Sequence, residues 1–197
     1  SEYVTHMIES FFNDDGIISF KGAHWKKPGE LPRRNAFIAG GFIFCRGKWL
    51  KDVPLDPFLH YLFTGEEILL SARSYTAGWD VYTPNKNIIY HAYTRDEDPK
   101  FWLDNVYDST EAKQKVKIIL QLENDLSALT NEKVYKSIKK YGCGNVRSLQ
   151  DFYNFVGIDR KTKTIGKPQV EFFKFEKQDA KSDNLLFLLL KIGRAHV

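Results

Sequence analysis

FIAGGFIF (37–44), DPFLHYLFTGEEILLSAR (56–73) and GWDVYTPNKNIIYHAYTR (78–95) are the pieces of one stretch, Phe37 to Arg95, on which the reading of this chain turns. Each carries polar residues inside core-like sequence: a glycine pair after an apolar run, a doubled carboxylate at a helix start, and an H-x-Y-x-R after a strand. Polar groups placed that way line a site more often than they fill a core. Ala36 to Phe44 is apolar except for Gly40 and Gly41, which predicts a buried strand. Within it the glycines serve either a ligand lying close to the backbone or a β-bulge, and these residues alone support both.

Asp56-Pro57 has the pattern of a helix N-cap and first turn, so one or two helical turns are predicted over Phe58 to Phe63. Thr64-Gly65 interrupts, and a second helix is predicted from Glu66 to Ala77, stopped by Gly78. Two glutamates in a first turn suit the helix dipole, so a structural role is open to Glu66 and Glu67. Their place at a junction of two apolar helices, directly after Gly65, opens a functional one. Trp79 to Tyr93 reads as two strands across Pro84-Asn85, with His91 in the alternation of the second. A strand histidine taken alone is either a hydrogen-bonded structural group or a metal ligand.

Outward from this stretch the signals weaken. Residues 1–35 carry turn signals around short apolar pieces, and a loop-rich segment with one short helix and one short strand is expected. Asp96 to Trp102 reads as a mobile acidic loop with apolar anchors. Beyond it, Asp108-Ser109-Thr110-Glu111 opens a helix whose apolar residues recur at Ile118, Leu122, Leu126 and Leu129. Short helices follow over Val134 to Ile138 and Leu149 to Val156, the latter opened by Ser148 and closed by Gly157. Asp159 to Asn184 is Lys-rich and weakly patterned, and is expected to pack poorly.

The chain has 197 residues, 43% hydrophobic and 15% aromatic, an ordinary globular composition. No apolar run approaches the roughly 20 residues of a membrane span. The net charge of +4 conceals an asymmetry: residues 1–110 hold 12 Lys and Arg against 15 Asp and Glu, and residues 111–181 hold 15 against 9. The basic part is read as a solvated helical surface rather than a face for an acidic partner, and no nucleic-acid partner is expected. Two cysteines, Cys45 and Cys143, make neither a disulfide framework nor a thiolate metal site, which favours a reducing, cytoplasmic compartment. The chain opens at Ser1 without a signal peptide, so its native start is expected upstream. Ile192 to Val197 resembles a translated sequencing adapter, and Leu185 to Lys191 is doubtful by association.

Gly40-Gly41, Leu55-Asp56-Pro57, Thr64-Gly65-Glu66-Glu67-Ile68, Arg73, Thr76-Ala77-Gly78-Trp79-Asp80, Pro84, His91-Ala92-Tyr93-Thr94-Arg95 and the later YGCGNVRSLQDFYNFVGID occur in one order. That ordered set resembles the cytoplasmic-type N-acetylglucosaminyltransferases that modify hydroxyproline on the adaptor subunit of a cullin ubiquitin ligase, from about Gly16 to Asp159. A more distant likeness is to the polypeptide N-acetylgalactosaminyltransferases. The resemblance implies an α/β fold, the acceptor-side, C-terminal part of a GT-A Rossmann-like domain over residues 1–110. It is followed by helices over 111–160, a weakly ordered tail over 161–191 and an artefact over 192–197.

It also implies roles. The donor would be UDP-GlcNAc and the acceptor a protein hydroxyl, with retention at the anomeric carbon. A divalent cation, Mn²⁺ or else Mg²⁺, would take His91 as a ligand. Gly40 and Gly41 would lie against the sugar, with Tyr93 and Trp102 as further substrate contacts. Glu66 would bind sugar hydroxyls, Glu67 would assist, and Arg95 would reach the diphosphate. The D-x-D or D-x-H carboxylate of such enzymes does not occur before Gly40. The nucleotide half is therefore expected upstream, and the chain as it stands is expected to be inactive. Two other readings share these residues: a transferase with another sugar donor, or with a glycan or other protein acceptor, and a non-catalytic carbohydrate- or protein-binding module.

Overall fold

The computed structural model describes residues 4–25, 31–89, 99, 103, 107–169 and 185–188, with 23–25 and 185–188 by their backbone alone. The architecture is mixed α/β. Strands β1 (Val4–Phe12) and β2 (Ile18–Trp25) form an antiparallel hairpin, Val4 opposite Trp25 and Phe12 opposite Ile18, with a register shift between Met7 and Glu9. β3 (Arg33–Arg34), β4 (Ile43–Cys45), β5 (Asp80–Thr83) and β8 (Leu185–Leu188) form a second sheet in the order β3-β5-β8-β4. Helices α1 (Lys48–Asp52), α2 (Glu66–Thr76), α3 (Thr110–Ile119), α4 (Glu132–Tyr141) and α5 (Leu149–Val156) supply the rest, with a two-residue ribbon of β6 (Ile158–Asp159) and β7 (Thr164–Ile165).

The first thirty-odd residues differ from the loop-rich segment expected of them. The turn at Asn13 to Gly16 is there: Asn13 Oδ1 accepts from the Ile17 amide at 2.9 Å and Gly16 has φ +71°. The long strands it joins escape pattern reading because β1 is buried on both faces over Val4 to Met7, so alternation appears only from Ile8 onward.

Ala36 to Ala39 is buried as expected, yet it is not a strand. Its amides are satisfied irregularly: Phe37 donates to the Met7 carbonyl at 3.2 Å and Ile38 to Ser71 Oγ at 2.8 Å. Asn35 stitches the segment to β1, its Oδ1 accepting from Met7 N at 2.9 Å and its Nδ2 donating to the Phe37 carbonyl at 3.1 Å. Side chains replace a ladder, so apolarity here marks burial and nothing more. Gly40 and Gly41 then form a turn before β4.

Phe58 to Phe63 likewise forms turns instead of the helix expected, with Tyr61 at φ +52°. Asp56 caps nothing helical: its Oδ1 takes the Phe58 amide at 2.9 Å in a local turn, and its Oδ2 takes Lys115. β5 ends at Thr83, and residues 84–89 do not continue the second strand that was expected to reach His91. Leu185–Leu188, doubted on sequence, pairs parallel to β5 and antiparallel to β4, so its backbone ladder is satisfied on both edges.

α5 matches its expected bounds. Ser148 Oγ accepts from Asp151 N at 3.0 Å, Asp151 Oδ2 accepts from Ser148 N at 3.2 Å, and Gly157 closes the helix at φ +72°. α3 stops at Ile119, so Leu126 falls in a 3₁₀ turn, Leu126–Ala128, and Leu129 lies beyond it. Its Lys115 is no solvated surface residue. The side chain is fully buried and its Nζ lies 2.5 Å from Asp56 Oδ2 and 2.6 Å from Ser137 Oγ, with the Phe58 and Tyr141 rings at 5.5 and 5.6 Å. Burial lowers the lysine pKa while Asp56 opposes the shift.

Removing one member of such a pair strands a buried charge, which costs about 3–5 kcal/mol. Lys115→Met is expected to lose that much in urea unfolding, and the double variant Lys115→Met/Asp56→Leu to recover a large part of it.

Candidate functional site

Helix α2 carries the site at its N-terminus. Gly65 precedes it at φ +112°, a left-handed conformation that suits glycine, and a Cβ there would approach Ile17 Cγ2 to 3.2 Å. The backbone thus turns sharply against Ile17, just before β2, and delivers Glu66 and Glu67 as the first two helical residues, where the dipole favours carboxylates. From Ile68 to Thr76 the helix is buried along most of its length, including Ser71, Arg73, Ser74 and Thr76.

Glu67 reaches back to the glycine turn: its Oε1 accepts from the Gly40 amide at 2.6 Å. One turn further along, Ser71 Oγ accepts from Ile38 N at 2.8 Å and donates to the Glu67 carbonyl at 2.7 Å. The turn is therefore held to α2 at two points. A Cβ on Gly40 would meet only Glu67 Oε1, at 3.6 Å, an ordinary contact. Among the described residues nothing demands a glycine at that position.

Glu66 contrasts with its neighbour. Its Oε2 is buried and has no hydrogen-bond partner among the described residues. Burial pushes its carboxyl up to about 7, the Glu67 charge adds to that shift, and its own backbone amide opposes it. Burial also raises Glu67, against the Gly40 amide, which favours the charged form. The pair joins one oxygen already committed to structure with one that is not.

Two clefts adjoin this pair. One, of about 490 Å³, is lined by Ser19, Phe20, Phe63 and Thr64 with Gly40, Glu66 and Glu67. The other, of about 250 Å³, shares Gly40, Glu66 and Glu67 and is otherwise walled mainly by leucines. Gly40, Glu66 and Glu67, chosen from sequence, therefore come together around the clefts. Gly41 sits beside Gly40 in the same exposed turn. His91, Tyr93, Arg95 and Trp102 lie outside the described residues, as does the loop expected over Asp96 to Trp102 apart from Pro99. Among the described residues no three His, Cys, Asp or Glu side chains come together to hold a metal. No described helix is long and apolar enough to cross a membrane.

Sequence reading missed the leucine-walled cleft. Leu59 and Leu62 sit in turns and Leu69 and Leu70 on α2, and no periodicity links residues brought together by a change of chain direction. It also passed over Ser71, whose two hydrogen bonds are invisible in a helical pattern.

A carboxyl whose pKa is raised on folding binds its proton more tightly in the native state, so Glu66 lowers stability as pH climbs from about 4.5 to about 7. His6 acts the other way. It is buried with its ring against the Arg34 carbonyl at 2.6 Å, and burial lowers it from 6.5 to about 4, so stability is lost as pH falls through that window. Glu66→Gln should remove only the first effect: calorimetric melts should show the variant gaining on wild type steadily between pH 4.5 and 7.

No curated protein and no solved structure matches the chain significantly. A family model described as Glycosyltransferase (GlcNAc) matches residues 1–162, most of the chain and all of the elements that build the clefts. The chain belongs to the GlcNAc glycosyltransferase family.

Proposed function

We propose that the chain forms the acceptor-side part of a GT-A transferase site that moves N-acetylglucosamine from UDP-GlcNAc to a protein hydroxyl, that of hydroxyproline. The observation that carries the reading is the Gly40–Glu67 contact at 2.6 Å, with Glu66 Oε2 beside it lacking a hydrogen-bond partner among the described residues. A Cβ-free turn lets a sugar ring lie against backbone, and an unpaired carboxylate oxygen accepts from a sugar hydroxyl. In this arrangement Glu67 positions the turn and Glu66 contacts the sugar.

Transfer with retention then needs little side-chain acid–base chemistry. The acceptor oxygen bonds to the anomeric carbon as the bond from that carbon to the diphosphate oxygen breaks, on the same face. The hydroxyl proton passes to the departing phosphate oxygen. The protein contributes position and exclusion of water. Arg95 would meet the diphosphate, and Tyr93 and Trp102 the substrate. The need for a divalent cation, with His91 as a ligand, rests on sequence resemblance, and a cation would supply Lewis-acid stabilisation of the leaving group.

Assays of the intact enzyme with UDP-GlcNAc and a hydroxyproline peptide test the reading. Glu66→Gln replaces one carboxyl oxygen with an amide NH₂ and should lower kcat/KM roughly 10- to 100-fold. Chelation should abolish turnover and Mn²⁺ restore it, and His91→Ala should not be restored at the same Mn²⁺ concentration. Gly40→Ala should melt close to wild type yet raise the donor KM. Absence of turnover with every UDP-sugar tried would favour a binding module instead.

A further inference from the structure

The outer edge of β1 changes character part of the way along the strand. At Met7 it is closed: the amide donates to Asn35 Oδ1 at 2.9 Å and the carbonyl accepts from the Phe37 amide at 3.2 Å. Beyond the register shift between Met7 and Glu9, the closure of the hairpin fixes where each backbone group points. Asn13 N donates to the Ile17 carbonyl at 2.9 Å, and hydrogen-bonded and non-bonded pairs alternate back from it. Ser10 opposite Phe20 and Phe12 opposite Ile18 are therefore non-bonded pairs, and their N–H and C=O groups point away from β2. Among the described residues none of these outward groups has a hydrogen-bond partner.

Ile8 to Phe11 form one wall of a groove of about 540 Å³, and Ile165 to Pro168 form the other. The second wall is held in place. The Gly166 amide donates to the Gly157 carbonyl at 2.7 Å, and the Lys167 carbonyl packs so closely on Gly157 that a Cβ there would come within 2.6 Å of it. Phe11 and Ile165 are 46% and 40% exposed on the two walls. Glu9 and Lys21 neutralise each other at 3.3 Å, whereas the exposed Lys167 has no ion-pair partner among the described residues.

These features select one kind of occupant. Donors and acceptors repeat at every second residue along roughly 16 Å of strand from Ile8 to Phe12. Another strand matches them, because it brings its own alternating N–H and C=O groups. A nucleic acid needs several cations along its backbone, and this groove offers one that is unpaired. Strand edges are ordinarily blunted by charge, proline or cover, yet this one keeps an exposed phenylalanine.

We propose that the groove docks one extended polypeptide segment of a partner protein, added as a strand to the Ser10 to Phe12 edge, with apolar side chains against Phe11 and Ile165 and a carboxylate on Lys167. The groove shares no lining residue with the clefts beside Glu66 and Glu67, so the proposal stands independently of the transferase reading.

The full chain is titrated into a fluorescein-labelled hexapeptide in which valine alternates with aspartate, and binding is followed by anisotropy. One control peptide carries lysine in place of aspartate, and a second is N-methylated at its amides. Ser10→Pro removes an outward N–H without touching the β1–β2 ladder, and Lys167→Glu reverses the charge at an exposed position. The aspartate peptide is expected to saturate the wild-type chain. Each control peptide and each variant is expected to weaken binding about tenfold, with Lys167→Glu melting like wild type. Should the proline variant fail to fold, Lys167→Glu and the N-methylated peptide decide. Absence of saturable binding, or equal binding of either control peptide, overturns the proposal. So does a wild-type chain that sediments as a dimer and becomes monomeric on Lys167→Glu, which would give the groove to a second copy.

Discussion

Helix α2 is buried along a length that includes four polar side chains, and the rest of the structure follows from satisfying them. A buried donor or acceptor left alone costs about 1–3 kcal/mol, so each must find a partner nearby. Ser71 takes the Ile38 amide, Ser74 takes the Trp49 indole N–H at 3.0 Å, and Arg73 takes the Pro54 and Gly142 carbonyls. Thr76 takes the Gly144 amide on its hydroxyl at 2.8 Å and the Val146 and Arg147 amides on its carbonyl at 2.9 and 3.1 Å. Each polar group of one helix thereby holds a different segment of chain. Ser71 and Thr76 also donate back to carbonyls one turn earlier, at 2.7 and 2.8 Å, which keeps their hydroxyls in place as acceptors.

The site inherits its rigidity from that arrangement. Gly40 is fixed relative to Glu66 and Glu67 because the segment before it is tied to Ser71 and the turn itself to Glu67. On the far side, the turns from Pro54 to Phe63 have no regular hydrogen-bond ladder, so two buried cations position them: Arg73 at Pro54 and Lys115 at Asp56. Leu55, Leu59 and Leu62 of the small cleft stand on this fastened loop. Aromatic packing secures the other end of α2, with Tyr75 stacked on Phe155 at 5.2 Å and Arg147 over the Tyr75 ring at 4.7 Å. Arg147 and Arg34 in turn meet on Asp80, at the start of β5.

How legible the sequence was depended on the range of the interactions involved. The bounds of α5 could be read because its capping box and glycine stop lie within ten residues of each other. The start of α2, and the carboxylates there, could be read for the same reason. Ala36 to Ala39 could be recognised as buried but not as irregular, since its hydrogen bonds go to residues about thirty positions away, Met7 and Ser71. β1 was missed because two-sided burial erases alternation. Lys115 looked like the solvated lysines around it, and only the arrival of Asp56, Ser137 and two aromatic rings distinguishes it.

The residues themselves therefore determined the local devices: the Asn13 to Gly16 turn, the Gly65 break, the doubled carboxylate, the α5 cap, and the order of motifs that signals a GlcNAc glycosyltransferase. Only the tertiary structure decided which of two adjacent glutamates is committed to the glycine turn and which keeps an oxygen without a partner among the described residues. It also decided that this pair divides two clefts of different chemistry. The physical reason is distance: a hydrogen bond from Gly40 to Glu67 spans 27 residues, and the leucine wall spans turns and helix alike, so neither leaves a periodic trace in the chain.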